Sequence, residues 1–352
     1  MPTVNLNITT KAHRAGSESS DGALVDRFGR VHRDLRISLT DRCSLRCTYC
    51  MPEQGNDWLA KSSVLTADEI IQVATVAVAA GISTFRLTGG EPLLRTDVVD
   101  VVRRLAQLRG PSGAVDVAMT TNGIRLVNML PDLVDAGLTR LNVSIDTLDR
   151  QRFHELTRRD RLDDVRAGIA AAARSDLRPL KLNAVAMRGV NDDELIDLVD
   201  FAVAHDAEMR FIEQMPLDAN HLWNRQEMVT RDEILNTLST RWHLEAVPMR
   251  GGAPAERFLI DGGPATVGVI ASVTAPFCGD CDRLRLTADG QLLNCLFSNA
   301  EYDLTAALRG AELDSAGIEK MLRQCVWSKL PGHAIDDPTF LQPTRGMNAI
   351  GG

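Results

Sequence analysis

Three cysteines in the first part of the chain have the spacing of a metal site. Cys43, Cys47 and Cys50 form the pattern C-x3-C-x2-C. Cubane iron–sulfur clusters are usually held by four cysteine thiolates, so three thiolates leave one iron open to another ligand. Structural zinc closes with four protein ligands, and the histidines nearest in sequence, His32 and His154, are poorly placed to complete this set. The pattern therefore favours an iron–sulfur cluster over zinc.

A second set of three cysteines lies far along the chain. Cys278, Cys281 and Cys295 form C-x2-C-x13-C, which on spacing alone also fits a zinc knuckle that lacks one ligand. Asp289-Gly290 separates two apolar runs, and this dipeptide predicts a two-residue hairpin turn. Such a turn would pair residue 295 near residue 284, and it would bring Cys295 back beside Cys281.

Two arginines follow this second set at alternate positions. In a strand, Arg283 and Arg285 would project to one face. Two guanidiniums beside a cluster suggest an anionic, ring-bearing ligand, although salt bridges on a solvated edge strand would also account for them. The net charge of −8 and the pI near 5.4 argue against nucleic-acid binding by bulk charge. An anionic ligand must therefore be held by locally placed arginines and lysines.

The elements that would position these groups alternate between strand and helix. Strands are predicted at 35–40, 84–87, 115–120, 140–145, 180–187 and 208–212, and later at 266–272, 283–287 and 291–296. Capping-box patterns begin helices at Thr66, Asn191 and Thr230. Six β–α units imply a parallel sheet but are too few for a closed eight-fold barrel. We predict an α/β fold, a partial (βα)6 TIM-like barrel whose mouth is closed by a C-terminal α+β extension, with functional groups at the carboxyl ends of the strands.

Domain organisation and compartment follow from composition. We expect a polar, flexible leader over 1–23, a core over 24–220, a C-terminal domain over 221–340 that binds the second metal group, and a tail over 341–352. No apolar run is long enough to cross a bilayer, and the first residues lack a secretory apolar segment. Seven cysteines, an odd number, argue against a disulfide framework and favour the cytoplasm. Cys325, outside both sets, is expected to be a buried helical thiol.

Motifs around the first cysteines carry a family resemblance. Tyr49 stands between the second and third cysteines, and Gly89-Gly90-Glu91-Pro92 follows the second predicted strand. With these features the chain resembles the radical S-adenosylmethionine enzymes. The resemblance implies that the open iron binds the amino and carboxylate groups of S-adenosylmethionine. An electron from the reduced cluster would then cleave the cofactor to methionine and a 5′-deoxyadenosyl radical.

Over residues 24–352 the order of motifs resembles the members of this family that act in molybdenum-cofactor (molybdopterin) biosynthesis. The resemblance implies two 4Fe-4S clusters with three cysteine ligands each, and GTP as substrate. The radical would remove hydrogen from ribose C3′, C3′ would attack guanine C8, and the product would be (8S)-3′,8-cyclo-7,8-dihydroguanosine 5′-triphosphate. It also implies an electron donor such as flavodoxin or ferredoxin and a downstream cyclic pyranopterin monophosphate synthase, with no nucleic-acid or membrane partner. A homodimer stays open.

The resemblance assigns residues to three roles. The S-adenosylmethionine contacts would be Tyr49, Gly89, Gly90, Glu91, Ser144 and Met215, although Ser144 could equally be a strand serine bonded to the main chain. The GTP contacts would be Arg36, Arg86, Thr120, Lys181, Arg210, Arg283 and Arg285. The groups closest to catalysis would be Arg283, Arg285, Gly351 and Gly352. One departure is Thr84, which stands where many members have a lysine.

Two other functions remain open on sequence. One is a radical enzyme that matures peptides and carries an auxiliary cluster in its C-terminal extension. Such extensions usually contain more cysteines than the second set provides, and they give no role to Arg283 and Arg285. The other is a zinc-stabilised binding module. Zinc without acid-labile sulfide would support the module.

Overall fold

The structure is a computed structural model that describes residues 22–218, 223–335, 337 and 340–351. Most of the predicted leader (residues 1–21) and the predicted catalytic residue Gly352 lie outside the described residues. In the described part of the chain, no helix combines the length and the apolar character that a bilayer span requires.

One sheet of twelve strands organises the molecule, in the order β14-β13-β12-β1-β2-β5-β6-β7-β8-β11-β10-β9. The eight strands from β12 to β11 in this order are parallel, and the flanking ones are antiparallel. The strands are β1 Asp34–Ser38, β2 Thr84–Thr88, β3 Arg109–Gly110, β4 Gly113–Ala114, β5 Asp116–Thr121, β6 Arg140–Ser144, β7 Leu180–Ala186, β8 Ala207–Glu213, β9 Leu244–Ala246, β10 Glu256–Ile260, β11 Thr266–Ile270, β12 Arg283–Leu286, β13 Gln291–Leu293 and β14 Tyr302–Asp303. Strands β3 and β4 form a separate two-stranded sheet. The six core strands predicted from sequence are thus confirmed as consecutive neighbours.

Helices connect the parallel strands. They are α1 Ala67–Ala79, α2 Val98–Ala106, α3 Leu126–Asp135, α4 Arg150–Thr157, α5 Leu162–Ala173, α6 Leu195–Ala204, α7 Arg231–Ser239, α8 Thr305–Arg309, α9 Ser315–Trp327 and α10 Met347–Ile350. Cys325 is fully buried in α9, as predicted.

Alternation along the strands separates an apolar face from a polar one. In β1, Leu35 and Ile37 are fully buried in the core, whereas Arg36 lines a cavity. In β2, Phe85 belongs to the core and Arg86 lines the same cavity. Because successive side chains of a strand point to opposite faces, this pattern places the apolar set in the core and the cationic set in the cavity.

Two of the three predicted capping boxes are confirmed, at the starts of α1 and α7. The one predicted at Asn191 is wrong, because α6 begins only at Leu195 and has no side-chain cap. The Asn191 amide instead donates to the carbonyl oxygens of Asp146 and Val185. The Asn191 side chain therefore forms tertiary hydrogen bonds and does not provide the α6 cap that the local sequence had predicted.

The C-terminal segments extend the core sheet at both edges. Strand β11 pairs in parallel with β8, and β12 pairs in parallel with β1. The predicted hairpin exists, but its loop has three residues, because Thr287 pairs with Gln291 and Gly290 has a φ of +87°. The register of Arg285 with Leu293 therefore aligns position 295 with position 283, one residue from the expected pairing with 284.

Candidate active site between two cysteine trios

A single cavity of about 510 Å³ brings together the residues that the sequence marked. We call Cys43, Cys47 and Cys50 the first trio, and Cys278, Cys281 and Cys295 the second trio. All six line this cavity, and all six are free thiols. Thirteen other predicted residues also line the cavity: Arg36, Tyr49, Arg86, Gly89, Gly90, Glu91, Thr120, Ser144, Lys181, Arg210, Met215, Arg283 and Arg285.

The first trio lies on a loop that follows β1. Within it the Cys50 N–H donates to the Cys47 carbonyl at 2.9 Å. The loop is held against the end of α4 by the Arg46 and Thr48 N–H groups, which donate to main-chain carbonyls there at 2.9 and 3.0 Å. The carboxyl end of a parallel strand thus presents the three sulfurs to the cavity, as expected for this class of sheet.

Gly89 and Gly90 allow the loop after β2 to pack on the cysteine loop. The Gly90 N–H donates to the Thr40 carbonyl at 2.7 Å. A Cβ on Gly90 would lie 2.4 Å from the Arg42 carbonyl oxygen, and one on Gly89 would lie 2.3 Å from the Thr40 carbonyl oxygen. Gly89 also has a φ of +130°, which L side chains rarely adopt. The two glycines are therefore required for the contact between the two loops. This role is additional to the one that the sequence suggested, which was contact with the cofactor.

Glu91 organises this end of the site through three hydrogen bonds. Its carboxylate accepts from the Thr121 hydroxyl at 2.7 Å, from the Asn122 N–H at 2.7 Å and from the Leu93 N–H at 3.0 Å. The Asn122 side chain in turn donates to the Ser44 hydroxyl at 3.0 Å. Both oxygens of Glu91 are thus engaged by the protein, and the residue fixes the geometry of the loops.

Tyr49 is held by a carboxylate that sequence reasoning missed. The Tyr49 hydroxyl donates to Asp146 at 2.7 Å, and the other oxygen of Asp146 accepts from the Val185 N–H at 2.9 Å. Burial, followed by the charge of Asp146, raises the pKa of Tyr49 well above its ordinary value. The phenol therefore stays protonated and oriented at neutral pH. The sequence signal was Asp146 directly beyond the end of β6.

The second trio lies at the opposite end of the sheet. Cys281 precedes β12, and β12 runs parallel to β1 with Arg283 beside Asp34. Cys281 is therefore at the amino end of its strand, whereas the first trio follows the carboxyl end of β1. At 3.3 Å per residue, the four steps from Asp34 to Ser38 span about 13 Å. The expectation that all functional groups lie at carboxyl ends is thus wrong for this trio.

Three arginines occupy one row between the trios. Arg36 is in register with Arg86 on one side and with Arg285 on the other, so their side chains share a face. We call these three the arginine row. The Nε of Arg36 and one Nη of Arg86 are buried without a hydrogen-bond partner among the described residues. Burial lowers the pKa of Arg36 well below its ordinary value and those of Arg86 and Arg285 to about 10. Crowded cations with unused donors fit a polyanionic ligand.

Lys181 and Arg210 add positive charge on the neighbouring strands β7 and β8. Arg210 donates to Glu208 at 2.6 Å, and this pair is buried. Lys181 has a pKa lowered to about 7, by burial and then by the charge of Arg210. Arg140, which sequence reasoning missed, lines the same wall and is paired with Asp116. An anion bound here would restore the charged form of Lys181.

The C-terminal tail enters the site, as the resemblance implied for Gly351. The Arg285 guanidinium donates to the Gly351 carbonyl, and Gly351 is buried. A Cβ on Gly351 would lie 2.3 Å from the Thr88 hydroxyl and 2.4 Å from the Ser38 hydroxyl. Asn348 fastens the tail to the first cysteine loop, donating to the Asp41 carbonyl at 3.0 Å. Only a residue without a side chain fits at position 351.

The chemistry of the donors suits iron–sulfur clusters. In the described residues, no group of three His, Cys, Asp or Glu side chains is arranged to hold a single metal ion. A cubane offers a separate iron to each thiolate, so its ligands need not converge on one point. Burial raises the pKa of Cys43 to about 11 and that of Cys50 to about 12. Burial would also raise the pKa of Cys281, but the positive charges of Arg283 and Lys329 outweigh this effect and lower the pKa to about 7.

Comparisons with known proteins show the family of the chain. Residues 37–202 match the Radical SAM superfamily, and residues 207–335 match the Molybdenum Cofactor Synthesis C family. A GTP 3′,8-cyclase of Streptomyces coelicolor is 54% identical, over 96% of this chain and 99% of the relative. A GTP 3′,8-cyclase of Mycobacterium sp. (strain KMS) is 49% identical over the full length of both chains.

Among solved structures, Streptococcus suis SuiB bound to S-adenosylmethionine is similar in fold. Its TM-score is 0.56 at 14% identity, and the match covers 81% of this chain and 66% of SuiB. Identity this low supports the α/β fold alone. The relatives of about half-identical sequence carry the assignment instead, and by them the chain belongs to the GTP 3′,8-cyclase family of radical S-adenosylmethionine enzymes.

Proposed function

We propose that this chain converts GTP to (8S)-3′,8-cyclo-7,8-dihydroguanosine 5′-triphosphate in molybdenum-cofactor biosynthesis. The observation that carries the proposal is the arginine row, which lies between two cysteine trios in one cavity. When bound, a cluster on the first trio together with S-adenosylmethionine would supply hydrogen-atom abstraction from ribose C3′. Formation of the bond from C3′ to guanine C8 would then take up one electron, from the external electron donor, and one proton.

The first trio and its surroundings would hold the sulfonium cofactor. Tyr49, fixed by Asp146, presents a half-buried aromatic ring to the end of the cavity that holds the first trio. Gly89, Gly90, Ser144 and Met215 line the same end of the cavity, and Glu91 keeps the loops in place.

The cations of the cavity would bind the substrate. We assign the arginine row, Lys181 and Arg210 to the triphosphate, and Thr120 to a polar contact with the nucleotide. Arg283 would face the base from the second trio, because its guanidinium donates to the Cys281 sulfur at 3.3 Å. The Gly351 carbonyl occupies one donor of Arg285 and would orient it; Gly352 would extend the same tail.

A second 4Fe-4S cluster on the second trio would bind guanine through its open iron. This part of the proposal rests on the three free thiols beside Arg283. We further propose that the sheet curves as a partial (βα)6 barrel over 24–220, with a C-terminal unit over 221–340 and the tail over 341–352. We propose that the enzyme is cytoplasmic and that it is a monomer or a homodimer. We also propose that it receives electrons from a donor such as flavodoxin or ferredoxin, and that a cyclic pyranopterin monophosphate synthase acts downstream of it.

The test is an anaerobic assay with S-adenosylmethionine, dithionite and GTP. We expect both 5′-deoxyadenosine and a cyclised nucleotide. Cys295→Ser should keep the first cluster and the cleavage of S-adenosylmethionine but lose most cyclisation. Cys325→Ser is the matched control, since that thiol is buried in α9, outside both trios. Full cyclisation by Cys295→Ser would overturn the role of the second trio.

The same assay separates the alternatives. A peptide-maturing enzyme would give no cyclised nucleotide from GTP. A zinc-stabilised module would contain zinc without acid-labile sulfide and would form no 5′-deoxyadenosine. Either result would refute the proposed function.

A further inference from the structure

A buried lysine lies behind the second trio. Lys329 follows α9 and is 4% exposed. Its ammonium donates to the main-chain carbonyls of Arg283 and Asn294, each at 2.7 Å. These carbonyls belong to β12 and to the segment after β13, so Lys329 joins the two sides of the hairpin that carries Cys295 towards Cys281.

No carboxylate hydrogen-bonds to this ammonium in the part of the chain that the structure describes. Its two hydrogen bonds go to neutral carbonyls. The neighbouring cation Arg30 differs, because its Nε donates to the Asp26 carboxylate at 2.6 Å. A buried and unpaired ammonium loses several kcal/mol of hydration free energy. Something else near Lys329 must therefore offset its charge.

The groups that can do so are the sulfurs of the second trio. The Lys329 ammonium is bonded to the carbonyl of Asn294, which directly precedes Cys295, and to that of Arg283, two residues after Cys281. Arg30 closes the other side of this neighbourhood, donating to the Cys278 carbonyl at 2.6 Å and to the Leu330 carbonyl at 2.8 Å. Hydrogen bonds thus tie the ammonium and Arg30 to the segments that carry the three cysteines.

We propose that Lys329 is a positioning residue for the second iron–sulfur site, and that its fixed positive charge raises the reduction potential of a cluster bound there. The inference rests on the proposed function, which places a cluster on the second trio. Three thiolates and a 4Fe-4S core of charge +2 have a net charge of −1, which becomes −2 when the cluster accepts one electron. No bond forms or breaks in this step, and the electron comes from an added reductant such as dithionite. A nearby cation stabilises the more negative state.

The test is a redox titration of the full-length chain, followed by electron paramagnetic resonance, with the first trio replaced by serine so that one cluster remains. Lys329→Gln keeps an N–H donor for the carbonyls but removes the charge, whereas Lys329→Arg keeps both. We expect a more negative midpoint potential for Lys329→Gln and a potential near the parent value for Lys329→Arg. Lys320→Met, on the exposed face of α9, is the matched control for loss of a lysine charge and should not shift the potential.

The outcomes separate charge from structure. Iron and sulfide content and thermal melting show whether each variant folds and holds its cluster. If Lys329→Gln loses the cluster while Lys329→Arg retains it, the charge is required to hold the cluster, which supports the positioning role. An unshifted potential in loaded Lys329→Gln, or loss of the cluster in both variants, refutes it. A parent chain with no second cluster refutes the proposed function as well.

Discussion

Gly351→Ala tests whether the tail must enter the cavity for cyclisation. The new methyl group would lie 2.3 Å from the Thr88 hydroxyl and 2.4 Å from the Ser38 hydroxyl. Its backbone φ of +79° adds strain, because the left-handed conformation costs a residue with a Cβ about 1–2 kcal/mol. Forcing an extra methyl group into a packed site costs about 1–3 kcal/mol more.

Together the two free-energy costs are about 2–5 kcal/mol, and they lower the population of molecules with an inserted tail by about 30-fold to about 5,000-fold. We expect GTP cyclisation to fall by a similar factor. The yield of 5′-deoxyadenosine and the melting temperature should stay at parent levels, since the change lies outside the sheet and outside both trios. Hydrogen exchange provides a direct readout, because expulsion would release the Gly351 N–H from the Met347 carbonyl, now 3.0 Å away.

Gly332→Ala is the matched control, since no atom lies within 4 Å of the position that its new methyl group would take, and its φ is not in the left-handed range. Parent-level cyclisation by Gly351→Ala would refute the requirement for an inserted tail. Loss of cyclisation without faster exchange at Gly351 would show that the tail stays in place, and it would refute the steric explanation.

Two further changes probe the charge of the cavity and the core beneath it. Lys181 is charged below its folded-state pKa of about 7, so the affinity for GTP should fall as the pH rises from about 6 to about 8. Lys181→Arg should lose most of this pH dependence, because an arginine stays charged over this range. Equal pH dependence of equilibrium GTP binding in the parent and the variant would contradict the assignment of Lys181 to GTP binding. Arg210, Glu208, Arg140 and Arg86 are the charges that act on Lys181 and are unchanged in this comparison. Phe211→Ala, at a fully buried position of β8, should lower the free energy of unfolding by about 3–5 kcal/mol in denaturant titrations. Val203→Ala on the exposed side of α6 should change it by less than about 0.5 kcal/mol, and similar losses for both would contradict the burial argument.

Much of the site was predictable because its signals are local. The spacing of the first trio, the Gly89-Gly90 pair and the alternation of apolar residues in the core strands all depend on neighbours in sequence. Parallel pairing then brings the ends of successive strands together without further information. The predicted residues on seven separate strands consequently line one cavity.

What the sequence could not provide depends on distant pairing. Asp146 reaches Tyr49 across 97 positions, and Lys329 reaches the Arg283 carbonyl across 46. The one local signal for Asp146 is its place just beyond β6, and nothing local distinguishes Lys329 from an ordinary surface lysine. The hairpin shows the same limit at short range, since a loop of three residues and a loop of two share the dipeptide Asp289-Gly290 but differ in register by one.

The direction of one strand decides whether this cavity lies between the two cysteine trios. Because β12 runs parallel to β1, Cys281 lies at one end of the sheet and the first trio at the other, with the arginine row between them. An antiparallel β12 would place Cys281 at the same end as the first trio and would leave the row open on its far side. The connection through β8, β11 and the segment that follows is long enough to cross the sheet and deliver β12 in the parallel sense. The C-terminal segments therefore do more than cover a finished core, because they complete the site from its opposite end.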